Sequence, residues 1–277
     1  MKKIILITGC SSGFGMHTAA ILSKKHIVYA TMRNTEKSAE LLNLVKKYGG
    51  EVIVKQLDVC NVESIKNVFY HIEKNHGKLD VLVNNAGYGI GGCFEDLSDK
   101  EFRDVMETNF FGVLNVTRIM LPLIHKSKKG KIINLSSVAG RVSYPVLGAY
   151  NSSKYALEGF SESIRYELKP FGIDVVLVEP GSFDTKIFEE NAKICDNFFN
   201  EQSRYFKTCQ SMYNKRSYVR KKRPGAEVVA EKLVKIIEKN NVPFRVIVGA
   251  DARFQIIMKW FLPFKLFEKI VFYFSNK

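Results

Sequence analysis

The chain has 277 residues, 46% hydrophobic and 25% charged, the balance of a soluble globular protein, and a length at which a single unit can bury most of its apolar surface. A net charge of +14 favours anionic partners, from phosphorylated cofactors to acidic substrates or membrane surfaces, and no nucleic-acid motif accompanies it. The five cysteines (Cys10, Cys60, Cys93, Cys195, Cys209) contain no Cys-x-x-Cys pair, which argues against a metal site or disulfide framework and for a reducing, cytoplasmic setting.

The apolar run 4–7 is too short for a secretory leader and suits a buried first strand. Residues 13–25 read as a helix and 27–32 as the second strand. A helix follows at 35–48, then a strand at 52–57, a helix at 62–75 and a strand at 79–83. Ser98-Asp99-Lys100-Glu101 is a capping box that opens one long helix through Phe102, Val105, Asn109, Val113 and Val116. A strand at 131–135 precedes a helix carrying Tyr150, which Pro170 and Gly172 stop near residue 169. Strand 173–178, helix 226–238 and strand 244–248 complete the alternation. Near-continuous apolar strands separated by helices predict a parallel sheet covered on both faces. The fold class is a doubly wound α/β fold of Rossmann type, with its ligand crevice beyond the carboxyl ends of the strands. We expect one domain over 1–250, including a helical lid at 183–224, and an amphipathic extension at 251–277.

Three patterns carry chemistry. Gly9, Ser11, Ser12, Gly13, Phe14 and Gly15 lie between the first strand and the first helix. Such a turn lets a pyrophosphate approach the backbone and meet the N–H groups of the helix N-terminus. It lacks the lysine of a P-loop. At the end of the second strand, Met32 stands where an acid would bind a ribose 2′-hydroxyl, and Arg33 follows; an arginine suits a 2′-phosphate, so NADP(H) is preferred over NAD(H). Tyr150 and Lys154 are one helical turn apart on the same face. A fixed ammonium lowers the phenol pKa and prepares the tyrosine for general acid–base work, although any helix can carry this spacing as an ordinary surface pair.

Over residues 3 to about 185 the sequence resembles the short-chain dehydrogenase/reductase family. The resemblance rests on the Thr8-Gly9 to Gly15 turn, Asp58-Val59, Asn84-Asn85-Ala86-Gly87, Asn109, Ser137 thirteen residues before Tyr150, Lys154, and Pro180-Gly181 followed by Thr185. Phe14 departs from the pattern, which more often has Ile or Leu. Tyr29-Ala30-Thr31-Met32-Arg33 and 150–159 are most similar to the branch of 17β-hydroxysteroid and retinol dehydrogenases. The resemblance implies a catalytic set of Asn109, Ser137, Tyr150 and Lys154. Tyr150 would exchange a proton with the substrate oxygen, Lys154 would lower its pKa and hold the ribose, Ser137 would donate to the substrate oxygen, and Asn109 would hold a water. It implies cofactor contacts at Asp58, Val59, Asn85, Ala86, Gly87, Pro180, Gly181, Phe183 and Thr185. It also implies homodimers or homotetramers formed by the helices around Asn109 and Tyr150.

The 183–224 stretch is crowded with aromatic and other apolar residues, among them Phe183, Ile187, Phe188, Phe198, Phe199, Tyr205, Phe206, Met212 and Tyr213. They read either as a lid over a bulky lipophilic carbonyl or alcohol or as a satellite core. Residues 215–223 form a basic run, read as a solvated loop or as an anion contact at the mouth of the site. The tail 253–274 mixes aromatic and basic residues around Pro263, too interrupted to span a bilayer. It suits peripheral membrane contact or docking on protein. The expected activity is interconversion of a carbonyl and a secondary alcohol on a lipophilic substrate. A 3-oxoacyl-carrier-protein reductase and a non-catalytic dinucleotide sensor are the alternatives.

Overall fold

The computed structural model describes residues 2–184, 193–220 and 223–276, with backbone alone at 215–220 and 274–276. The first half runs β1 (Ile4–Ile7), α1 (Gly13–Leu22), β2 (Ile27–Met32), α2 (Ala39–Tyr48), β3 (Ile53–Gln56), α3 (Val62–His76), β4 (Val81–Asn84) and a short strand β5 (Ile90–Gly91). It continues with α4 (Asp99–Met106), α5 (Gly112–His125), β6 (Lys131–Leu135), α6 (Gly148–Leu168) and β7 (Asp174–Pro180). The last part comprises β8 (Lys193–Ile194), α7 (Phe206–Arg220), α8 (Ala226–Glu238), β9 (Arg245–Val248), α9 (Ala250–Phe261) and α10 (Phe264–Asn276).

Among the described residues, seven parallel strands form one sheet in the order β3-β2-β1-β4-β6-β7-β9, and β5 and β8 pair separately. The order reverses between β1 and β4, whose registers pair Ile5 with both Val28 and Val81. This reversal opens the crevice of a doubly wound fold at the carboxyl ends of those strands. Side chains alternate across the sheet. Ile5 and Ile7 pack toward α1, α2 and α8, while Ile4 and Leu6 pack toward α3 and α5. With both faces covered, the strands read as continuous apolar runs rather than alternating ones.

The capping box forms: the Ser98 hydroxyl accepts the Glu101 N–H at 3.2 Å, and Glu101 accepts the Ser98 N–H at 2.8 Å. The single long helix expected from it is interrupted. Glu107–Phe111 is a π turn between α4 and α5, and Asn109 sits within it. The expected helix at 35–48 begins instead as a 3-10 turn, Thr35–Ser38, because the Asn34 side chain accepts the Glu36 N–H and fixes a tight start. The helix expected over 13–25 ends at Leu22, where the Ser23 hydroxyl donates to the Ala20 carbonyl. Pro263 separates α9 from α10, so the tail is a helix pair.

Candidate active site

The turn after β1 packs directly on the loop after β4. Gly9 has φ +73°, and a Cβ there would lie 2.8 Å from Ala86 Cα. Only glycine allows this approach. Thr8 Oγ1 accepts the N–H groups of Asn85 and Ala86 at 3.0 Å each, and Asn85 Nδ2 donates to the carbonyls of Thr8 (2.8 Å) and Gly9 (3.0 Å). The two loops are thus one rigid body, and Asn85 shapes the turn as well as facing the cleft.

A cleft of about 290 Å³ runs along this body. Its walls include Gly9, Ser11, Ser12, Gly13 and Phe14 on the turn, Arg33, Asp58 and Val59 beyond β2 and β3, and Asn85, Ala86 and Gly87 after β4. Gly15, also expected at the cofactor, does not line the cleft. Its Cα faces Asn85, and a Cβ there would sit 2.5 Å from Asn85 Nδ2, so its small size serves packing. Tyr88, Thr108 and Lys193 line the cleft without having been anticipated, and Lys193 Nζ lies 4.9 Å from the Tyr88 ring centroid. Tyr88 and Thr108 adjoin the Asn-Asn-Ala-Gly motif and Asn109, a proximity that could have drawn attention to them. Lys193 lies in the irregular segment, where no spacing signals it.

A smaller cavity of about 30 Å³ shares the Phe14, Asn85, Gly87 and Tyr88 walls and ends on Ser137, Tyr150, Lys154, Pro180, Gly181 and Phe183. Three of the four expected catalytic residues therefore meet in one pocket, and Asn109 stands behind it. Ser137, at the end of β6, is 8% exposed and engages Tyr150 through a hydrogen bond. The strand end is held because Ser137 Oγ accepts the Ala139 N–H at 3.1 Å. Tyr150 lies in the first turn of α6, shortly after Val146, whose φ of +69° is rare for a β-branched residue. Gly92 holds Val146 there, its N–H donating to the Val146 carbonyl at 2.8 Å.

The electrostatics differ from the expectation that Lys154 lowers the Tyr150 pKa. Burial pushes the Tyr150 phenol up to about 12, and the hydrogen bond from Ser137 works against that rise. Burial likewise pulls the Lys154 ammonium down to about 8, opposed by the Glu158 carboxylate one turn on. Lys154 Nζ donates to the Leu135 carbonyl at 2.7 Å and lies 5.8 Å from the Tyr150 ring centroid. At neutral pH the tyrosine is thus a protonated donor.

Asn109 is fully buried. Its Nδ2 donates to the Tyr88 carbonyl (2.9 Å) and Ser153 Oγ (3.1 Å), and its Oδ1 accepts the Tyr88 N–H at 3.0 Å. Both amide hydrogens are committed to protein, so its first role is to fix the 87–88 loop against α6. The π turn rotates it into this position. A Cβ on Gly87 would lie 2.9 Å from Asn109 Oδ1 and 3.9 Å from Lys154 Nζ, so glycine there keeps open the gap between those two groups.

Behind Lys154 lies a buried charge cluster. Arg245 Nε contacts Glu158 at 3.1 Å and Glu179 at 3.4 Å, and Arg141 reaches Glu179 at 3.3 Å. Burial, with Glu158 nearby, pushes the Glu179 carboxyl up to about 7. The Pro180-Gly181 loop that follows is braced from the C-terminal side. Asp251, in the first turn of α9, accepts the Ser182 N–H at 2.7 Å, and a Cβ on Gly181 would run into the Asp251 carboxylate. Phe183 is buried and meets Phe14 edge to face at 6.0 Å.

The expected lid divides. Phe198 packs with Cys93, Val146, Cys195, Cys209, Tyr205 and Met212 as a satellite core, whereas Phe199 and Tyr213 form an outward pair. Among the described aromatics of this stretch, only Phe183 lines either cavity. Thr185, Ile187 and Phe188 lie outside the described residues, as do the side chains of the basic run at 215–222. Cys10 is a buried space-filler, its thiol pushed up to about 12 by burial.

The comparisons agree with this geometry. The family model for short chain dehydrogenase matches residues 3–195. The oxidoreductase YusZ of Bacillus subtilis is 36% identical over 276 residues, covering 98% of this chain and 97% of that protein. The 3-ketodihydrosphingosine reductase of Bacteroides thetaiotaomicron is 39% identical, covering 89% and 88%. Human retinol dehydrogenase 8 is 40% identical over 66% of this chain and 60% of its own. Among solved structures, a short-chain dehydrogenase from Streptomyces avermitilis superposes with a TM-score of 0.81 at 32% identity, covering 94% and 92%. One from Burkholderia phymatum in complex with NAD gives 0.80 at 25%, covering 94% and 93%. Actinorhodin polyketide ketoreductase with NADPH gives 0.75 at 28%, covering 91% and 97%. The chain belongs to the short-chain dehydrogenase/reductase family and is an oxidoreductase, with retinol dehydrogenases among its relatives.

Proposed function

We propose that the protein is an NADP(H)-preferring oxidoreductase that interconverts a carbonyl and a secondary alcohol on a lipophilic substrate. The observation that carries this reading is the junction of the two cavities. A glycine-lined cleft ending at Arg33 opens, past Phe14 and Gly87, onto Ser137, Tyr150 and Lys154. The residues fit a dinucleotide: a side chain at Gly9 would fill the cradle, and the turn presents the N-terminus of α1 to a pyrophosphate. Arg33 would meet a 2′-phosphate, Asp58 and Val59 the adenine, and Lys154, Pro180, Gly181 and Phe183 the nicotinamide end, with Thr185 beyond. The bound nicotinamide supplies or takes up the hydride.

In the direction of reduction, Tyr150 gives its phenolic proton to the substrate oxygen, which burial equips it to do at neutral pH. Ser137 donates a hydrogen bond to the same oxygen as charge develops there. Lys154, one turn on, supplies positive charge near the developing phenolate. Asn109 fixes the loop around Gly87 and faces Lys154 across the gap there, the place for a water that restores the proton.

Support for a lipophilic substrate comes from the apolar pocket walls Phe14, Tyr88, Leu135 and Phe183, and from likeness to a 3-ketodihydrosphingosine reductase and a retinol dehydrogenase. We assign 1–250 to the enzyme domain, with 183–224 as its lid and 251–277 as an extension. Homodimers or homotetramers through the helices around Asn109 and Tyr150 complete the reading, where Phe111 and Tyr166 stand exposed. So does a cytoplasmic location with peripheral membrane contact through 253–274. The test is a cofactor titration with a panel of long-chain, steroid and retinoid carbonyls. NADPH should bind more tightly than NADH and be oxidised with members of the panel, and Arg33→Ala should remove the preference. Tighter NADH binding overturns the cofactor assignment, and NADPH binding without turnover of any carbonyl favours a sensor.

A further inference from the structure

α9 is amphipathic in an inverted sense, with its polar residues facing the domain. Asp251, Gln255 and Lys259 are spaced four apart and lie on one face. Asp251 accepts the Ser182 N–H, and Gln255 accepts the Tyr144 hydroxyl at 3.2 Å. Lys259 Nζ donates to the Arg141 carbonyl at 2.5 Å and contacts the Tyr155 hydroxyl at 2.6 Å. Each of these partners adjoins the candidate site. Ser182 follows Pro180-Gly181, Arg141 lies just past Ser137, and Tyr155 follows Lys154.

The opposite face of α9 is apolar and open. Trp260 is 79% exposed and Phe261 70%, with Ile257 and Phe254 one and two turns back. Beyond Pro263, Phe264 is 72% exposed, and Phe272 and Tyr273 are also exposed. Among the described side chains of α10, Phe267 is the one buried aromatic, where that helix packs against α7 and α9. A contiguous aromatic surface of this kind marks an interaction site.

We infer that the outer face of α9 and α10 lies on the surface of an anionic lipid bilayer. This rests on the lipophilic-substrate reading, for which the membrane is the reservoir. Charge selects the occupant. Arg253, Lys265 and Lys269 are exposed on the same two helices, against Glu268 alone, on a chain of net charge +14. A basic and aromatic helix surface matches the headgroup and acyl boundary of an anionic leaflet. A symmetric pairing of two copies through this face would set its cations against themselves. Among the described residues no helix is long and apolar enough to cross a membrane, so the pair lies in the plane of the interface. Because the inner stripe of α9 is tied to three segments of the site, the docked enzyme presents its pocket at the lipid surface.

Trp260 is the only tryptophan in the chain, so its emission reports on this face alone. The full-length protein is mixed with vesicles of phosphatidylcholine, or of phosphatidylcholine with phosphatidylglycerol. The inference predicts a blue shift and co-flotation with the anionic vesicles, quenching by brominated acyl chains, and weakening by salt. Lys265→Gln with Lys269→Gln should lower partitioning at least about tenfold, with reduction of a water-soluble carbonyl unchanged. Absence of a shift with either vesicle overturns the inference, as does equal binding to both. A blue shift that appears on concentration without lipid, with a doubled mass, overturns it in favour of a second copy. Failed vesicle binding with soluble-carbonyl turnover intact removes the membrane surface alone. Loss of turnover with every carbonyl would instead strike the activity reading.

Discussion

Lys154 is tied to the strand end beside Tyr150: its Nζ donates to the Leu135 carbonyl at 2.7 Å and lies 5.8 Å from the Tyr150 ring centroid. The lysine therefore acts on the phenol through space and on the strand end through a bond. Its ammonium is pulled down to about 8 by burial, so it loses its proton as pH rises through that value. Reduction, which needs positive charge beside the departing phenolic proton, should slow above about pH 8. Lys154→Met should lower kcat by about 100-fold or more and abolish that limb. Pre-steady-state rates across pH 6–10 (about four units, a range set by the unperturbed lysine and histidine values) check both statements.

Glu179 gives a second pH signature, in stability. The folded protein holds its proton up to about 7, whereas an ordinary glutamate releases it near 4.5. Between those values the folded state binds more protons than the unfolded one, so stability falls as pH rises through the window. Glu179→Gln should flatten that slope, with a gain of more than about 1 kcal/mol at pH 7 relative to pH 5. Denaturant titrations at the two pH values measure it.

The brace from Asp251 to the Ser182 N–H predicts a kinetic split. Asp251→Ala leaves that N–H without its acceptor and loosens the loop after Pro180-Gly181. KM for NADPH should rise roughly tenfold, as expected for loss of a charge-assisted bond of about 1.5–3 kcal/mol, with kcat changed less. Steady-state kinetics with either substrate varied separates the two.

At Gly9 the prediction is structural. Gly9→Ala places a Cβ 2.8 Å from Ala86 Cα at φ +73°. The backbone conformation alone costs about 1–2 kcal/mol, and the contact adds to it. A lower melting temperature and loss of NADPH binding, by calorimetry, are expected together.

Most of the sheet was legible because its central strands are buried on both faces and read as unbroken apolar runs. The phosphate turn was legible because its glycines are required by close approach, as at Gly9 against Ala86. Three features were not. The π turn around Asn109 leaves no trace in a hydrophobic pattern, since Phe102, Val105 and Val113 keep helical spacing on either side of it. The lid aromatics could not be divided by sequence between pocket and satellite core, because the same residues serve either. In α9 the amphipathic pattern was visible, but its sense was not. Asp251, Gln255 and Lys259 point inward because loop backbone and hydroxyl groups await them, and those partners come from segments about 70 to 118 residues away.

The central claim is that Tyr150 protonates the substrate oxygen in a nicotinamide-dependent reduction. The most direct measurement is single-turnover loss of NADPH absorbance with a lipophilic ketone, comparing the wild type with Tyr150→Phe at equal cofactor occupancy. The account predicts a rate lower by about 100-fold or more, with NADPH affinity within about twofold, since the phenol contributes to chemistry more than to binding. A Tyr150→Phe enzyme that turns over at the wild-type rate would contradict it.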